Sequence, residues 1–171
     1  TSGAVSALGI DASTLETGEG GDTVAIDIAD TLTGTPASET LRALQDATVD
    51  LGAGNDSLAL TGRGNDISVG SAVIAGAGDD TVSGGGVFDS TVDLGDGADS
   101  LTLTGESANA TLEGGTGDDT VSIGKVAGAT SIALGAGNDT LDVAGGNEQT
   151  FSRTNGTDIT VSALESDSIV D

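Results

Sequence analysis

A carboxylate two residues behind a Gly-x-Gly turn can serve as a cation ligand, and this sequence repeats that arrangement at nearly constant spacing. The copies read Gly52-Ala53-Gly54-Asn55-Asp56, Gly76-Ala77-Gly78-Asp79-Asp80, Gly95-Asp96-Gly97-Ala98-Asp99, Gly115-Thr116-Gly117-Asp118-Asp119 and Gly135-Ala136-Gly137-Asn138-Asp139. An early copy centres on Asp22, a further one runs Gly62-Arg63-Gly64-Asn65-Asp66, and Asn155-Gly156-Thr157-Asp158 reads as a worn final copy. From Asp56 onward the gaps between reference aspartates are 24, 19, 20 and 20 residues, against 34 between Asp22 and Asp56. Each pair of glycines permits backbone angles that a Cβ would forbid, so the chain turns sharply with carbonyls aimed inward. Carbonyls plus a hard, anionic carboxylate are the ligand set of Ca²⁺. Zinc would want His or Cys, and the sequence has neither.

A single Gly-x-Gly-x-Asp is ordinary tight-turn chemistry. In-register copies with flanking strands change the argument. Stacked strands lie roughly 4.8 Å apart, and two carboxylates at that distance repel by about 3.5 kcal/mol at an effective dielectric near 20. No Lys or Arg lies in the turns of the regular copies to relieve this. A divalent cation between each pair reverses the sign. Ions are therefore expected between Asp80 and Asp99, Asp99 and Asp119, and Asp119 and Asp139, with Asp22, Asp56 and Asp66 as further ligands.

The elements that hold these turns follow from alternation. Leu58 and Leu60, Leu101 and Leu103, Val121 and Ile123, and Leu141 and Val143 follow the turns at period two; Val49 and Leu51, Val92 and Leu94, and Ile132 and Leu134 precede them. Period two marks strands with one buried face. Each coil therefore reads strand, Gly-Asp turn, strand, second turn. The second turns are expected at Gly84-Gly85-Gly86, Gly105-Glu106-Ser107 and Gly124-Lys125-Val126. The predicted fold is all-β: a parallel β-roll or β-helix solenoid of near-20-residue coils with one regular calcium turn per coil, in which the stack is the folding unit. It forms a single domain over 1–171, with regular coils over about 47–150 and a degenerate final coil over 151–171. An insertion spans 30–46, where Thr35 as N-cap and Pro36 at the first helical position predict a short helix over 36–45.

Composition excludes several functions. Twenty-eight acidic residues against four basic ones give a net charge of −24, which argues against nucleic acid and anionic membrane surfaces as partners. No apolar run reaches the roughly 18 residues of a membrane span. Without Cys there is no disulfide framework, and without His no ordinary catalytic triad. Adjacent acids such as Asp79-Asp80 and Asp118-Asp119 point apart on a strand or turn, and their repetition argues against a unique catalytic centre. The expectation is therefore a protein that is not an enzyme.

The repeated turns resemble the calcium-binding nonapeptide repeats of RTX proteins, Gly-Gly-x-Gly-x-Asp-x-apolar-x. The resemblance covers residues 48–145 and, more loosely, 15–28. It implies Ca²⁺ bound by the turn glycines and aspartates named above. In that family such turns occupy both edges of the coil, whereas here one edge is regular. A one-sided coil is more similar to surface adhesins and S-layer proteins with RTX-like segments than to the toxin repeats. The resemblance thus implies a secreted or bacterial cell-surface location and a structural role in an S-layer, fibre or adhesin. Matching strings Val5-Ser6-Ala7-Leu8 and Val161-Ser162-Ala163-Leu164 add an expectation of end-to-end or lattice self-association. The competing reading is a polysaccharide- or ice-binding module of a larger secreted protein. Sugar recognition usually uses aromatic platforms, and the chain has two Phe and neither Trp nor Tyr. The outward turn positions carry a single Thr, Thr116, which disfavours ice. A third reading is a secretion and folding module attached to an enzyme.

Overall fold

The computed structural model describes residues 5–28, 39–62, 67–145, 150–151 and 169–170. Among them there is no helix, and the chain forms a parallel β-solenoid. Three ranks of strands make up each coil. Rank three opens the described chain with β1 (Val5–Asp11), rank one follows with β2 (Thr14–Glu16) and rank two with β3 (Thr23–Ile28). The same order then repeats: β4 (Glu39–Gln45), β5 (Thr48–Asp50) and β6 (Ser57–Gly62); β7 (Ile67–Ser68), β8 (Ala72–Ala77) and β9 (Thr81–Gly84). Next come β10 (Val87–Phe88), β11 (Thr91–Asp96) and β12 (Ser100–Ala108), then β13 (Thr111–Thr116), β14 (Thr120–Ala127), β15 (Ser131–Ala133) and β16 (Thr140–Val143). Strands β12 and β14 serve rank two with their first half and rank three with their second, and their mutual register shifts between Leu103 and Glu106. Strands β17 (Thr150–Phe151) and β18 (Ile169–Val170) form a separate parallel pair.

Register explains the core. Val49, Val73, Val92, Leu112 and Ile132 align across rank one. Leu58, Val82, Leu101, Val121 and Leu141 align across rank two. All ten are buried. The alternation read from sequence thus fills one apolar slab between facing sheets. Each fully buried Leu or Val contributes about 1.5–3 kcal/mol, which an isolated coil could not obtain. Outward positions of rank two carry Thr23, Ser57, Thr81, Ser100, Thr120 and Thr140, one hydroxyl per level.

Two local expectations are corrected. Residues 39–45 form strand β4, not part of a helix over 36–45; residues 36–38 lie outside the described ones. β4 pairs with β1 from Val5↔Glu39 to Asp11↔Gln45 and buries Ala43 and Leu44 completely. Pairing and burial thus override the local cap signals at Thr35 and Pro36. The second turns are also displaced. Strands β12 and β14 continue unbroken through residues 105–107 and 124–126, where they pass from rank two to rank three with a register shift, and residues 84–86 end β9 and lead into β10. The chain turns later, at Asp89, Asn109 and Gly128, where φ is +49°, +53° and +60°.

Candidate metal centre

The Gly-Asp turns join rank one to rank two at every level, and parallel pairing on both sides brings the turns into one column. Within it the aspartates form a ladder. Asp22 N–H donates to Asp56 Oδ1 at 2.6 Å, Asp56 N–H to Asp80 Oδ1 at 2.7 Å, and Asp80 N–H to Asp99 Oδ1 at 2.7 Å. Asp99 N–H donates to Asp119 Oδ1 at 3.0 Å, and Asp119 N–H to Asp139 Oδ1 at 3.0 Å. The stacking expected for Asp80, Asp99, Asp119 and Asp139 is present, and it extends to Asp22 and Asp56 across the 34-residue gap. The extra residues of that coil lie in the β3-to-β4 link and leave the turn untouched. Asp66, in the β6-to-β7 connection, and Asp158, after β17, both lie outside the described residues.

Each ladder bond satisfies Oδ1 alone. The Oδ2 atoms of Asp22, Asp56, Asp80, Asp99, Asp119 and Asp139 are all buried and have no hydrogen-bond partner. Asp56, Asp80, Asp99, Asp119 and Asp139 are at most 3% exposed. An orphaned buried acceptor costs about 1–3 kcal/mol, and a charged one more. Burial pushes the Asp99 carboxyl up to about 6, with repulsion from Asp119 and Asp80 adding to it and the Asp80 N–H partly opposing it. Asp119 rises to about 6 in the same way, through burial and then Asp139 and Asp118, against the Asp99 N–H. Burial likewise raises Asp80. The column as it stands is electrostatically unsatisfied.

The turn glycines pack closely from coil to coil. A Cβ on Gly76, Gly95, Gly115 or Gly135 would strike the carbonyl of the first turn glycine one coil earlier; a Cβ on Gly78, Gly97, Gly117 or Gly137 would strike that of the second. Gly97 shows the cause: its φ is +141°, and the Gly78 carbonyl sits where its side chain would be. The first-glycine carbonyls pair the coils, as in Ala77 N–H to Gly52 O at 3.0 Å and Ala136 N–H to Gly115 O at 2.9 Å. The second-glycine carbonyls of Gly54, Gly78, Gly97 and Gly117 are not among these turn-to-turn acceptors. Among the described residues no three acidic side chains converge on one point. An ion here would take aspartates from two successive turns and draw the rest of its roughly six to eight oxygens from backbone carbonyls. Hard oxygens, buried orphans and glycine cradles fit Ca²⁺.

The opposite edge is built differently. Ala12, Asp46, Val69, Asp89, Asn109 and Gly128 occupy equivalent places there and all have positive φ, from +38° at Val69 to +60° at Gly128. Its buried polar groups are hydroxyls, and they are satisfied. Ser71 Oγ accepts Ala47 N–H at 3.4 Å, Ser90 Oγ accepts Ser71 N–H at 3.2 Å, and Thr130 Oγ1 accepts Ala110 N–H at 3.4 Å. Ser90 and Thr130 donate in turn to Phe88 O and Ala127 O, both at 2.8 Å. Sequence reasoning missed this column, although a signal exists: Ser71, Ser90 and Thr130 each stand nine residues before the next turn aspartate, Asp80, Asp99 and Asp139. Lys125, expected in a second turn, lies exposed within β14 and pairs with Glu106.

No protein-family model, curated protein or solved structure matches this chain.

Proposed function

We propose that this chain is an extracellular calcium-binding structural element, of the kind that builds a surface layer, fibre or adhesin, and that calcium completes its fold. The supporting observation is the column of six buried, unpartnered Oδ2 atoms. Asp22, Asp56, Asp80, Asp99, Asp119 and Asp139 would hold the ions, with Gly52, Gly54, Gly76, Gly78, Gly95, Gly97, Gly115, Gly117, Gly135 and Gly137 shaping the cradles. Bound calcium supplies the positive charge that the column lacks. Sites with two acids apiece bind weakly, in the roughly 10⁻⁴–10⁻³ M range of extracellular modules, so the fold would be complete only where calcium is millimolar. The RTX-like reading of the repeats agrees with this. Six equivalent aspartates favour a scaffold over an enzyme, because no one of them is singled out.

The test is a calcium titration followed by circular dichroism and calorimetry. The expected result is a largely disordered chain in chelator, since net charge −24 opposes compaction, and strand signal in millimolar calcium. Equal strand content in both conditions would sink the proposal. Lateral association into a lattice is read on the same samples by light scattering.

A second reading, a module that binds polysaccharide or ice, draws on one observation: the unbroken Ser/Thr column on the outer face of rank two, Thr23 to Thr140. A thermal-hysteresis assay and pull-down on insoluble glycans separate it from the first.

A further inference from the structure

Turns in the column are held in two directions. The aspartate N–H donates forward, to the carboxylate one level later, as in Asp80 N–H to Asp99 Oδ1. The residue just before the aspartate makes the opposite contact. Asp79 N–H donates back to Asn55 Oδ1 at 3.1 Å, Ala98 N–H to Asp79 Oδ1 at 2.9 Å, and Asn138 N–H to Asp118 Oδ1 at 2.8 Å. Asn55, Asp79 and Asp118 are exposed and take no part in the buried ladder. This outer series has two breaks, each set by a residue type. Gly21 and Ala98 carry no side-chain acceptor, and among the described residues the N–H groups of Asn55 and Asp118 have no partner. A different bond crosses the gap at Ala98, from Thr116 Oγ1 to Asp96 Oδ1 at 2.8 Å, and it holds no amide.

The N–H that each outer bond holds shares a peptide unit with the carbonyl of the second turn glycine. A trans peptide is planar and points its N–H and C=O in opposite directions. With Asp79 N–H fixed on the level before, the Gly78 carbonyl points to the level after, and it sits where a Cβ on Gly97 would be. Asp79 holds the Gly97 carbonyl toward Gly117 in the same way. The Gly54 and Gly117 carbonyls point alike, toward Gly78 and Gly137, but no side chain holds the N–H of their peptides. Glycine on one side lets such a peptide rotate at little steric cost.

We propose that Asn55 and Asp79 are positioning residues for the ion column. Asn55 pins the Gly78 carbonyl across the gap that separates Asp80 from Asp99, and Asp79 pins the Gly97 carbonyl across the gap that separates Asp99 from Asp119. The proposal rests on the calcium reading above. A ligand fixed before binding loses no rotational freedom when the ion arrives. One hydrogen bond sets the size of the effect, about two- to tenfold in affinity. The ion positions therefore fall into two classes. Those served by Gly78 and Gly97 fill first. Those served by Gly54, between Asp56 and Asp80, and by Gly117, between Asp119 and Asp139, follow at higher calcium.

The test follows the carbonyl ¹³C shifts of the turn glycines through a calcium titration of the full chain, because coordination moves the shift of the carbonyl it engages. In the parent, Gly78 and Gly97 are expected to respond at about two- to tenfold lower calcium than Gly54 and Gly117. Asp79→Ala should raise the Gly97 midpoint relative to Gly78 by the same factor. Asp79→Asn loses the charge and keeps Oδ1, so it should leave Gly97 ahead of Gly117; the pair separates the bond from the charge. Ala98→Asn supplies the missing acceptor and should bring Gly117 down to the midpoint of Gly97. That variant adds a contact at an exposed position, so it reads the effect in a chain that has lost nothing. Glycine carbonyls that respond to calcium but keep the parent's order in both Asp79→Ala and Ala98→Asn overturn the proposal and leave the calcium reading standing. A parent whose turn glycines show no response to calcium overturns that reading, and this proposal with it.

Discussion

Replacing Asp99 by Asn tests the column most sharply, because its effect should change sign with calcium. The substitution keeps the shape and the Oδ1 acceptor for Asp80 N–H, now held at 2.7 Å, and it removes the charge and the Oδ2 ligand. In the metal-free fold Asp99 is raised from 3.8 to about 6, chiefly by burial. Keeping it ionised at pH 7.5 therefore costs about 3 kcal/mol. Asn recovers that, and returns about 1–2 kcal/mol because its amide nitrogen enters a site without a hydrogen-bond acceptor of its own. The net expectation in chelator is stabilisation by about 1–2 kcal/mol. In calcium at a hundred times Kd each ion adds about 2.7 kcal/mol. Asp99 lies between two turns and would touch two of the proposed ion positions, so the variant is expected to lose about 5 kcal/mol of binding and to end about 4 kcal/mol less stable than the parent. Urea unfolding in calcium and osmolyte-driven refolding in chelator read the two limits. Destabilisation of similar size in both buffers would refute the reasoning, since it would make Asp99 a hydrogen-bond acceptor and nothing more.

The acid limit follows from the same groups. Asp99 and Asp119 are raised to about 6, so their contribution to the metal-free fold is present in full below about pH 4 and lost as pH rises through about 6; circular dichroism in chelator should show more strand at pH 5 than at pH 7.5, while calcium affinity measured by calorimetry falls below pH 6. Val69→Asn should raise the urea midpoint by the equivalent of about 1 kcal/mol, because Val69 is β-branched at φ +38° and 40% exposed, so strain is relieved with little burial lost. Gly97→Ala should cost about 3 kcal/mol or more, combining φ +141° with a methyl driven into the Gly78 carbonyl. Asp93→Ala, on the outer face of rank one, should leave calcium affinity unchanged and stability within about 0.5 kcal/mol.

Ranks one and two were legible because strand alternation and coil length reinforce each other there. Once Leu101 and Leu103 face inward, a coil of 20 residues sets Val121 and Ile123 beneath them. The ladder from Asp22 to Asp139 was legible for the same reason: insertions that spare the turn leave the turn in register. Rank three was not. Strands β7 and β10 are two residues each, too short to show a period, and in β12 the third rank continues the second through Gly105-Glu106-Ser107, which reads as a turn in the sequence but carries only a register shift within one strand. The helix expected over 36–45 was a local reading of Thr35 and Pro36 that pairing with β1 overrode.

The two edges of the coil solve one problem by opposite means. Each must reverse a strand while burying polar groups beside an apolar slab. The Asn109 edge does so with hydroxyls that both donate and accept: Thr130 takes Ala110 N–H and gives to Ala127 O, and the account closes without any outside group. An ionised carboxylate can only accept. Asp99 therefore spends one oxygen on Asp80 N–H and leaves the other facing a column of like charge. A serine in its place would satisfy the turn as Ser90 does opposite, and would relieve the repulsion as well. Repeating the costlier solution at six successive levels makes sense for a chain whose fold depends on an external cation. One edge is closed by its own hydroxyls; if the other is closed by the proposed ion, calcium withdrawal should loosen the aspartate edge first. The amides of Asp56, Asp80 and Asp99 should then gain exchange before those of Ala47, Ser71 and Ala110; simultaneous loss at both edges would show that the stack melts as a single cooperative unit with no separate role for the ion column.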